Sequence, residues 1–204
     1  MTTTWRARQA ELTKERIVDA ARRLIAGHGY AATSIDAIAR EAGVAVPTVY
    51  KAFGTKRAIA LALNARIDAE AGMPELVPRV LAAESGRDVV EGSVRIGRAL
   101  FERSGDLIAM VDQVAPSEPE LAAVRDEGNR RLVEGTRAAV VRLDELGELR
   151  AGLSTQQAAG LLAQLSSAEA FLSLTRDHGW TPDQCEQWLT DAACRLLLDP
   201  DNRR

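Results

Sequence analysis

Apolar residues recur at helical spacing along almost the whole chain, and no segment reads convincingly at a strand's period of two. The first helix carries Ile17, Ala21, Leu24 and Ile25 on one face, with Thr13 placed to cap it and Gly27 and Gly29 to end it. Ser34 is placed to cap a short second helix, Ile35 to Ala42, that stops at Gly43. Pro47 suits the first turn of a third helix, running to about Ala52. Thr55 can cap a fourth, with Ile59, Leu63 and Ile67 along one face.

Past residue 72 the signals are looser. Met73-Pro74 is a break, Glu75 to Ala83 reads as a short helix, and Ser85-Gly86 breaks the chain again. Helices follow at about 87–103 and 105–114. Pro116 and Pro119 mark the next start, where Ser117 and Glu120 have capping-box spacing, and that helix runs to Glu145 before Gly147. Ser154 with Gln157 opens a helix to about Asp177, ended by Gly179. Thr181 to Gln184 is a third box, with proline at the first helical position, and its helix ends near Leu198. The expectation is an all-α chain of nine or ten helices.

Residues 35–54, IDAIAREAGVAVPTVYKAFG, are the most informative stretch. Two short helices that cross steeply through a tight turn need a small residue where they meet, and Ala39 supplies it. They need a left-handed residue in the turn, which Gly43 adopts at no steric cost. Val44 and Val49 plug the space between them. The same spacing would also serve two helices of an ordinary bundle. What separates the readings is the other face of the third helix, which carries Thr48, Tyr50 and Lys51, with Lys56 and Arg57 just beyond. A hydroxyl, a phenol and three cations around one helix can hydrogen-bond and neutralise phosphates.

Charge supports that choice. The chain of 204 residues has a formal net charge of −3, but residues 1–60 hold 10 Lys+Arg against 5 Asp+Glu, a net of +5, and the remaining 144 hold 16 against 24, a net of −8. A basic head on an acidic body points the head at a polyanion.

From Thr13 to about Leu63 the chain resembles the DNA-binding domain of the tetracycline-repressor (TetR) family of bacterial regulators. The resemblance is carried by Ile17 and Ala20-Ala21, His28-Gly29-Tyr30, Thr33-Ser34, Ile38-Ala39, Ala42-Gly43-Val44, Thr48-Val49-Tyr50, Phe53-Gly54 and Lys56, an ordered set over about a quarter of the chain. The tail His178-Gly179-Trp180-Thr181-Pro182, leading to Trp188-Leu189 and Leu196 to Leu198, is similar to the ending of many members. The resemblance implies a helix-turn-helix DNA-binding domain over residues 1–55 and a helical ligand-binding and dimerisation domain over 56–204. It implies that the third helix enters the major groove of double-stranded DNA, supported by the first and fourth. On that basis Val46, Pro47, Thr48 and Lys51 face bases, with Lys51 able to donate to guanine O6 or N7. Thr33, Ser34, Thr48, Tyr50 and Lys56 anchor phosphates. Thr33 and Ser34 serve equally as a helix start, and Tyr50 can be partly core.

Two positions depart from the family pattern. Ala45 stands where look-alikes often carry a capping serine, and Pro47 has no N–H to give a phosphate, though it can touch a thymine methyl. Trp5, Arg6 and Arg8 precede the expected first helix, as a solvated tail or an arm for the minor groove.

The same resemblance implies a homodimer, because two recognition helices about one DNA turn apart read a near-palindrome. Leu161, Leu165, Ala168 and Leu172 make one candidate stripe, and Leu189, Ala192, Ala193 and Leu196 the other; each stripe also suits a monomer core. A pocket for a small-molecule effector of unknown identity would draw on Phe101, Met110, Gln113, Gln164, Ser167 and Glu169, each of which also reads as core or surface. Glu169 is either a buried acid or a solvated one.

The remaining signals exclude. Cys185 and Cys194 match no metal spacing and cannot staple a fold of this size. No metal or cofactor is expected. His28 and His178 sit near helix C-termini, where imidazolium is favoured, with no nucleophile in motif spacing, so an enzyme is not expected. The first sixteen residues hold no apolar signal core, and residues 151–168 interleave Ser, Thr and Gln, a poor membrane span. The expectation is a cytoplasmic repressor released by ligand. Its rivals are a regulator without a ligand and an all-α interaction protein that has lost specific DNA binding.

Overall fold

The structure, a computed structural model, describes residues 5–199, with the side chain of Arg6 outside that description. The expected all-α class is what it shows: the described residues form ten α-helices, and their one extended pairing is an isolated bridge between Leu149 and Leu198. In order these are α1 (Trp5–His28), α2 (Ile35–Ala42), α3 (Val46–Phe53), α4 (Lys56–Glu70), α5 (Met73–Leu81), α6 (Gly86–Val114), α7 (Pro119–Glu145), α8 (Thr155–Leu165), α9 (Ala168–Arg176) and α10 (Pro182–Leu197). They group into two compact units. Among the described residues, one comprises 5–66 and 110–125, and the other 67–109 and 126–199.

In the first unit α1, α2 and α3 pack on one another. Ile17, Ile25, Ile38 and Val49 are buried at their centre, each contributing about 1.5–3 kcal/mol through the apolar surface removed from water. Helix α1 starts at Trp5, two turns before Thr13. Thr13 is therefore no cap, and its hydroxyl donates to the Gln9 carbonyl one turn back (2.8 Å). Trp5 and Arg8 belong to that helix and not to an arm; the Arg6 side chain lies outside the described residues.

In the second unit one core is built from Val89 and Val90 of α6, Val140 and Leu143 of α7, Leu162 of α8, and Ala193 and Leu197 of α10. A neighbouring one gathers Val94, Phe171, Cys185 and Leu189. The Ser154/Gln157 and Thr181/Gln184 capping boxes form as expected, each hydroxyl accepting from a backbone N–H and each glutamine oxygen from the cap N–H.

Three further expected boundaries differ. Residues 86–114 form one helix, not two, because Ser104 and Gly105 are buried within it; a side chain at Gly105 would press on Phe101 and Leu172. Helix α7 begins at Pro119, which puts Glu118, not Ser117, immediately before it and frees Glu120 for a different partner. The expected helix from Ser154 to Asp177 is broken at Ser166-Ser167. The Ser166 hydroxyl donates to the Leu162 carbonyl, and Ser167 caps α9 by accepting from the Ala170 N–H (3.1 Å).

Gly97 fixes that break against α6. A Cβ built on Gly97 would lie 2.0 Å from the Ser166 carbonyl oxygen, a backbone atom that cannot swing away. Gly97→Ala should destabilise the fold by about 1–3 kcal/mol through overpacking. Gly135→Ala, on a helix with nothing within 4 Å of the new methyl, should stabilise by roughly 0.5–1 kcal/mol. Urea midpoints of the two variants, compared with the parent, check both signs.

Candidate nucleic-acid interface

The site is built on the turn between α2 and α3. Ser34 opens α2, its side chain accepting from the Ala37 N–H (3.1 Å). The helix closes at Gly43, which is left-handed (φ 64°). Its N–H bonds the Arg40 carbonyl (3.2 Å), and the Val44 N–H bonds the Ala39 carbonyl (3.0 Å), a Schellman arrangement that turns the chain sharply. Arg16 of α1 reaches this point too, its guanidinium donating to the carbonyls of Ala42 and Gly43. A Cβ at Gly43 would sit 2.9 Å from that guanidinium, the movable end of a flexible side chain, so the left-handed backbone is the main reason for glycine.

Beyond the turn, Ala45 leads into α3 with extended backbone and no side-chain cap, as its lack of a polar atom requires. Val49 is buried against α2, while Pro47, Tyr50 and Lys51 are exposed and Val46 and Thr48 half-buried. Tyr50, at 53% exposed, points outward and is not core. Of the candidate base- and phosphate-facing residues of this eight-residue helix, Pro47, Tyr50 and Lys51 thus stand outward, while Val46, three residues from Val49, lies toward its buried side.

The flanking candidates divide. Ser34 is exposed and is also a cap, so both of its readings stand together. Thr33 is buried, with its hydroxyl donated to the Gly29 carbonyl (2.8 Å), which is the helix-start reading and leaves no hydroxyl at the surface. Lys56 opens α4, behind Thr55, whose hydroxyl accepts from the Ala58 N–H. Its ammonium is half-buried, donates to the Tyr30 carbonyl (2.8 Å) and lies 3.9 Å from the Tyr30 ring centroid. Tyr30 itself is buried and donates its phenol to the Glu120 carboxylate. Burial first, then the bond to Glu120, hold that phenol well above its ordinary range, so it remains a neutral donor.

Sequence reading missed Arg16, Tyr30 as an anchor, and Glu120. The Arg16 contacts span 26 and 27 residues and the Tyr30 bond spans 90. No local spacing signals such pairs.

Residues 17–63 match the family model described as bacterial regulatory proteins, tetR family. They are a tetR-family domain. No curated protein matches the chain. Solved structures do match in fold. SmeT, the repressor of the Stenotrophomonas maltophilia multidrug efflux pump SmeDEF, is 20% identical with a TM-score of 0.69, over 92% of this chain and 91% of that one. NalD, the secondary repressor of the MexAB-OprM multidrug efflux pump in Pseudomonas aeruginosa, is 20% identical with a TM-score of 0.72, over 94% and 99%. FadR, a fatty acid degradation regulator from Bacillus halodurans, is 20% identical with a TM-score of 0.68, over 88% and 93%. The turn built on Gly43 and the exposed face of α3 both lie inside the matched tetR-family domain.

Outside that domain the candidate effector residues scatter. Phe101 is half-buried and stacked on Phe171 (centroids 5.8 Å apart, planes at 21°). Gln113, Gln164 and Glu169 are exposed, so Glu169 is a solvated acid on the first turn of α9 and not a buried one. Ser167 is buried as a helix cap, and Met110 is half-buried. Met110 and Gln113 belong to the first unit and the other four to the second. A groove of about 300 Å³ between α6 and α10 contains none of the six. Its charges answer one another: Arg98 pairs with Asp183 and Glu186 (both 2.7 Å), and Arg87 with Asp191 (3.5 Å).

The first candidate dimer stripe is cut by the break at Ser166-Ser167, while the second lies whole on α10. Ala168, Leu172, Leu189 and Ala193 are buried within the chain's own core, and Leu165 and Ala192 are half-buried. Leu161 (37%) and Leu196 (41%) remain exposed, joined by Trp188 (51%). Burial pushes the thiols of Cys185 and Cys194 up, away from the reactive thiolate. Among the described residues no helix is long and apolar enough to cross a membrane, and no group of acidic, His or Cys residues is placed to hold a metal ion.

The extended backbone at Ala45 is already that of a capping residue. Ala45→Ser should therefore stabilise the head by about 1 kcal/mol, and Ser34→Ala should cost about the same. Chemical denaturation of the two variants checks the pair.

Proposed function

We propose that the chain is a sequence-specific DNA-binding transcriptional regulator, a cytoplasmic repressor that binds a near-palindromic operator as a homodimer and is released by a small-molecule effector. The observation that carries the reading is the exposed face of α3, with Pro47, Tyr50 and Lys51 outward and Val49 packed inward across a left-handed turn, inside a tetR-family domain. Residues 1–55 are the DNA-binding domain in this proposal, and 56–204 serve dimerisation and effector binding. Val46, Pro47, Thr48 and Lys51 face bases; Ser34, Tyr50 and Lys56 anchor phosphates; Thr33 supports them from beneath.

Trp188, Ala192 and Leu196 recur every four residues on α10, and Leu161 and Leu165 do so on α8, which packs on α10. An exposed apolar strip of this kind suits a second copy of the chain. One solved structure of similar fold is a complex of SmeT with triclosan, which supports a small-molecule effector for this chain. The exposed positions of Gln113, Gln164 and Glu169 favour a second reading, a regulator whose body binds no small molecule.

Fluorescence anisotropy on duplexes enriched from a random library tests the main reading. Nanomolar binding to a near-palindrome, weakening steeply with salt, supports it; weak binding indifferent to sequence overturns it. Lys56→Ala should weaken all duplexes alike and flatten the slope of log affinity against log salt by about 2, one phosphate contact per protomer. Lys51→Ala should instead change the preference among duplexes. Equal, uniform loss in both would refute this division of roles. Leu196→Glu should convert dimer to monomer in sedimentation equilibrium while retaining helical circular dichroism.

A further inference from the structure

Tyr30 is engaged at three points. Its carbonyl accepts from both the Thr33 N–H (3.1 Å) and the Lys56 ammonium (2.8 Å), its ring lies under that ammonium, and its hydroxyl donates to Glu120. The first two contacts are local to the head. The third joins a buried side chain to the first turn of α7, ninety residues along the chain but in the same compact unit. Four residues further along α7 the Val124 carbonyl accepts from the side-chain amide of Asn64 on α4 (3.0 Å), so α7 also holds α4 directly. From there α7 continues without interruption to Glu145.

We propose that Glu120 and Tyr30 are positioning residues for Lys56: the first turn of α7, through the Tyr30 phenol, sets where the α4 ammonium stands and so how well it meets a DNA phosphate. The proposal rests on the DNA-binding reading for its phosphate and on the geometry alone for the tie. An ammonium has three donors. The Tyr30 carbonyl takes one, and the ring beneath sets the side from which the others emerge. A ring held at its hydroxyl end by Glu120 cannot slide, so the ammonium above it keeps one direction. When α7's first turn moves away, a buried hydroxyl loses its acceptor, and the ring must move to find another. The lysine then follows the ring and carbonyl that hold it. Neither Glu120 nor Tyr30 needs to touch DNA.

Tyr30→Phe removes only the hydroxyl and keeps the ring and carbonyl that Lys56 uses. It should weaken operator binding by the full-length chain about five- to tenfold, as for one lost buried hydrogen bond. Glu120→Ala should match it, and the double variant should lose no more than either single one. Glu120→Gln, which keeps an acceptor oxygen, should recover most of the loss. In a Lys56→Ala background Tyr30→Phe should add nothing, which separates positioning from general destabilisation. Full additivity there, or unchanged affinity in Tyr30→Phe, overturns the proposal.

A second measurement needs no DNA. Acylation of the full-length chain with N-hydroxysuccinimidyl acetate, read by mass spectrometry, should label exposed Lys51 faster than Lys56. Tyr30→Phe and Glu120→Ala should raise the Lys56 rate about threefold relative to Lys51 as the ammonium is freed, and Glu120→Gln should not. If the parent chain binds no duplex specifically while Lys56 labelling shifts as stated, the DNA reading fails and the tie stands. If labelling of Lys56 is the same in all variants, the tie fails whatever the DNA result.

Discussion

A left-handed glycine between two short helices fixes the geometry on which the rest of the head depends. Gly43 directs its own N–H and that of Val44 back onto the last turn of α2, while Arg16 binds the carbonyls that this turn leaves facing α1. Three chain segments are thus tied to one residue. Because the turn is rigid, burial of Val49 on one side of α3 forces Pro47, Tyr50 and Lys51 to the other. The surface offered to DNA in the proposed function is therefore a consequence of how α2 ends. A residue with a Cβ at position 43 would meet both a strained backbone and the Arg16 guanidinium.

The second unit uses glycine differently. At Gly97 the backbone angle is ordinary, and what matters is the missing side chain, which lets the Ser166 carbonyl lie almost against α6. That approach goes with the break between α8 and α9, where Ser167 takes up the cap of the new helix. The break in turn decides which apolar residues stay outside. With α9 directed inward, Ala168 and Leu172 join the core, and the exposed strip is left to Leu161, Trp188 and Leu196. One close contact therefore shapes the surface on which a second copy would dock.

Electrostatics in the body are largely self-contained. Glu127 is held at about 2 by Arg130 and Arg131, and Arg98 is surrounded by Glu102, Glu186 and Asp183. These partly exposed pairs contribute little to stability. In the head, Lys51 and Ser34 are exposed. Lys56 is the exception, a charge of the head shared with a buried aromatic residue.

Most of what is governed by neighbours within about one helical turn was legible in the sequence; the Ser167 cap and the Thr13 bond to Gln9, both local, were not. The all-α class and the outward set on α3 follow from hydrophobic periodicity, the caps at Ser34, Thr55, Ser154 and Thr181 from side chains acting on backbone groups three residues away, and the stop at Gly43 from its missing Cβ. Elsewhere a distant partner had overridden the local signal. Ser104-Gly105 has the composition of a break, yet packing against Leu172 keeps it helical. Ser117 and Glu120 have the spacing of a box, yet Glu120 binds a tyrosine ninety residues away. Candidate effector residues were chosen by chemistry alone, and the fold left Gln164 and Glu169 on the surface and used Ser167 as a cap. Local hydrogen bonds and hydrophobic periodicity are encoded in adjacent residues, so the sequence by itself determined the helices and the face of α3. Burial and long-range pairing depend on which segments meet, so only the tertiary structure decided that Tyr30 holds Lys56, that Arg16 closes the turn, and which leucines remain exposed.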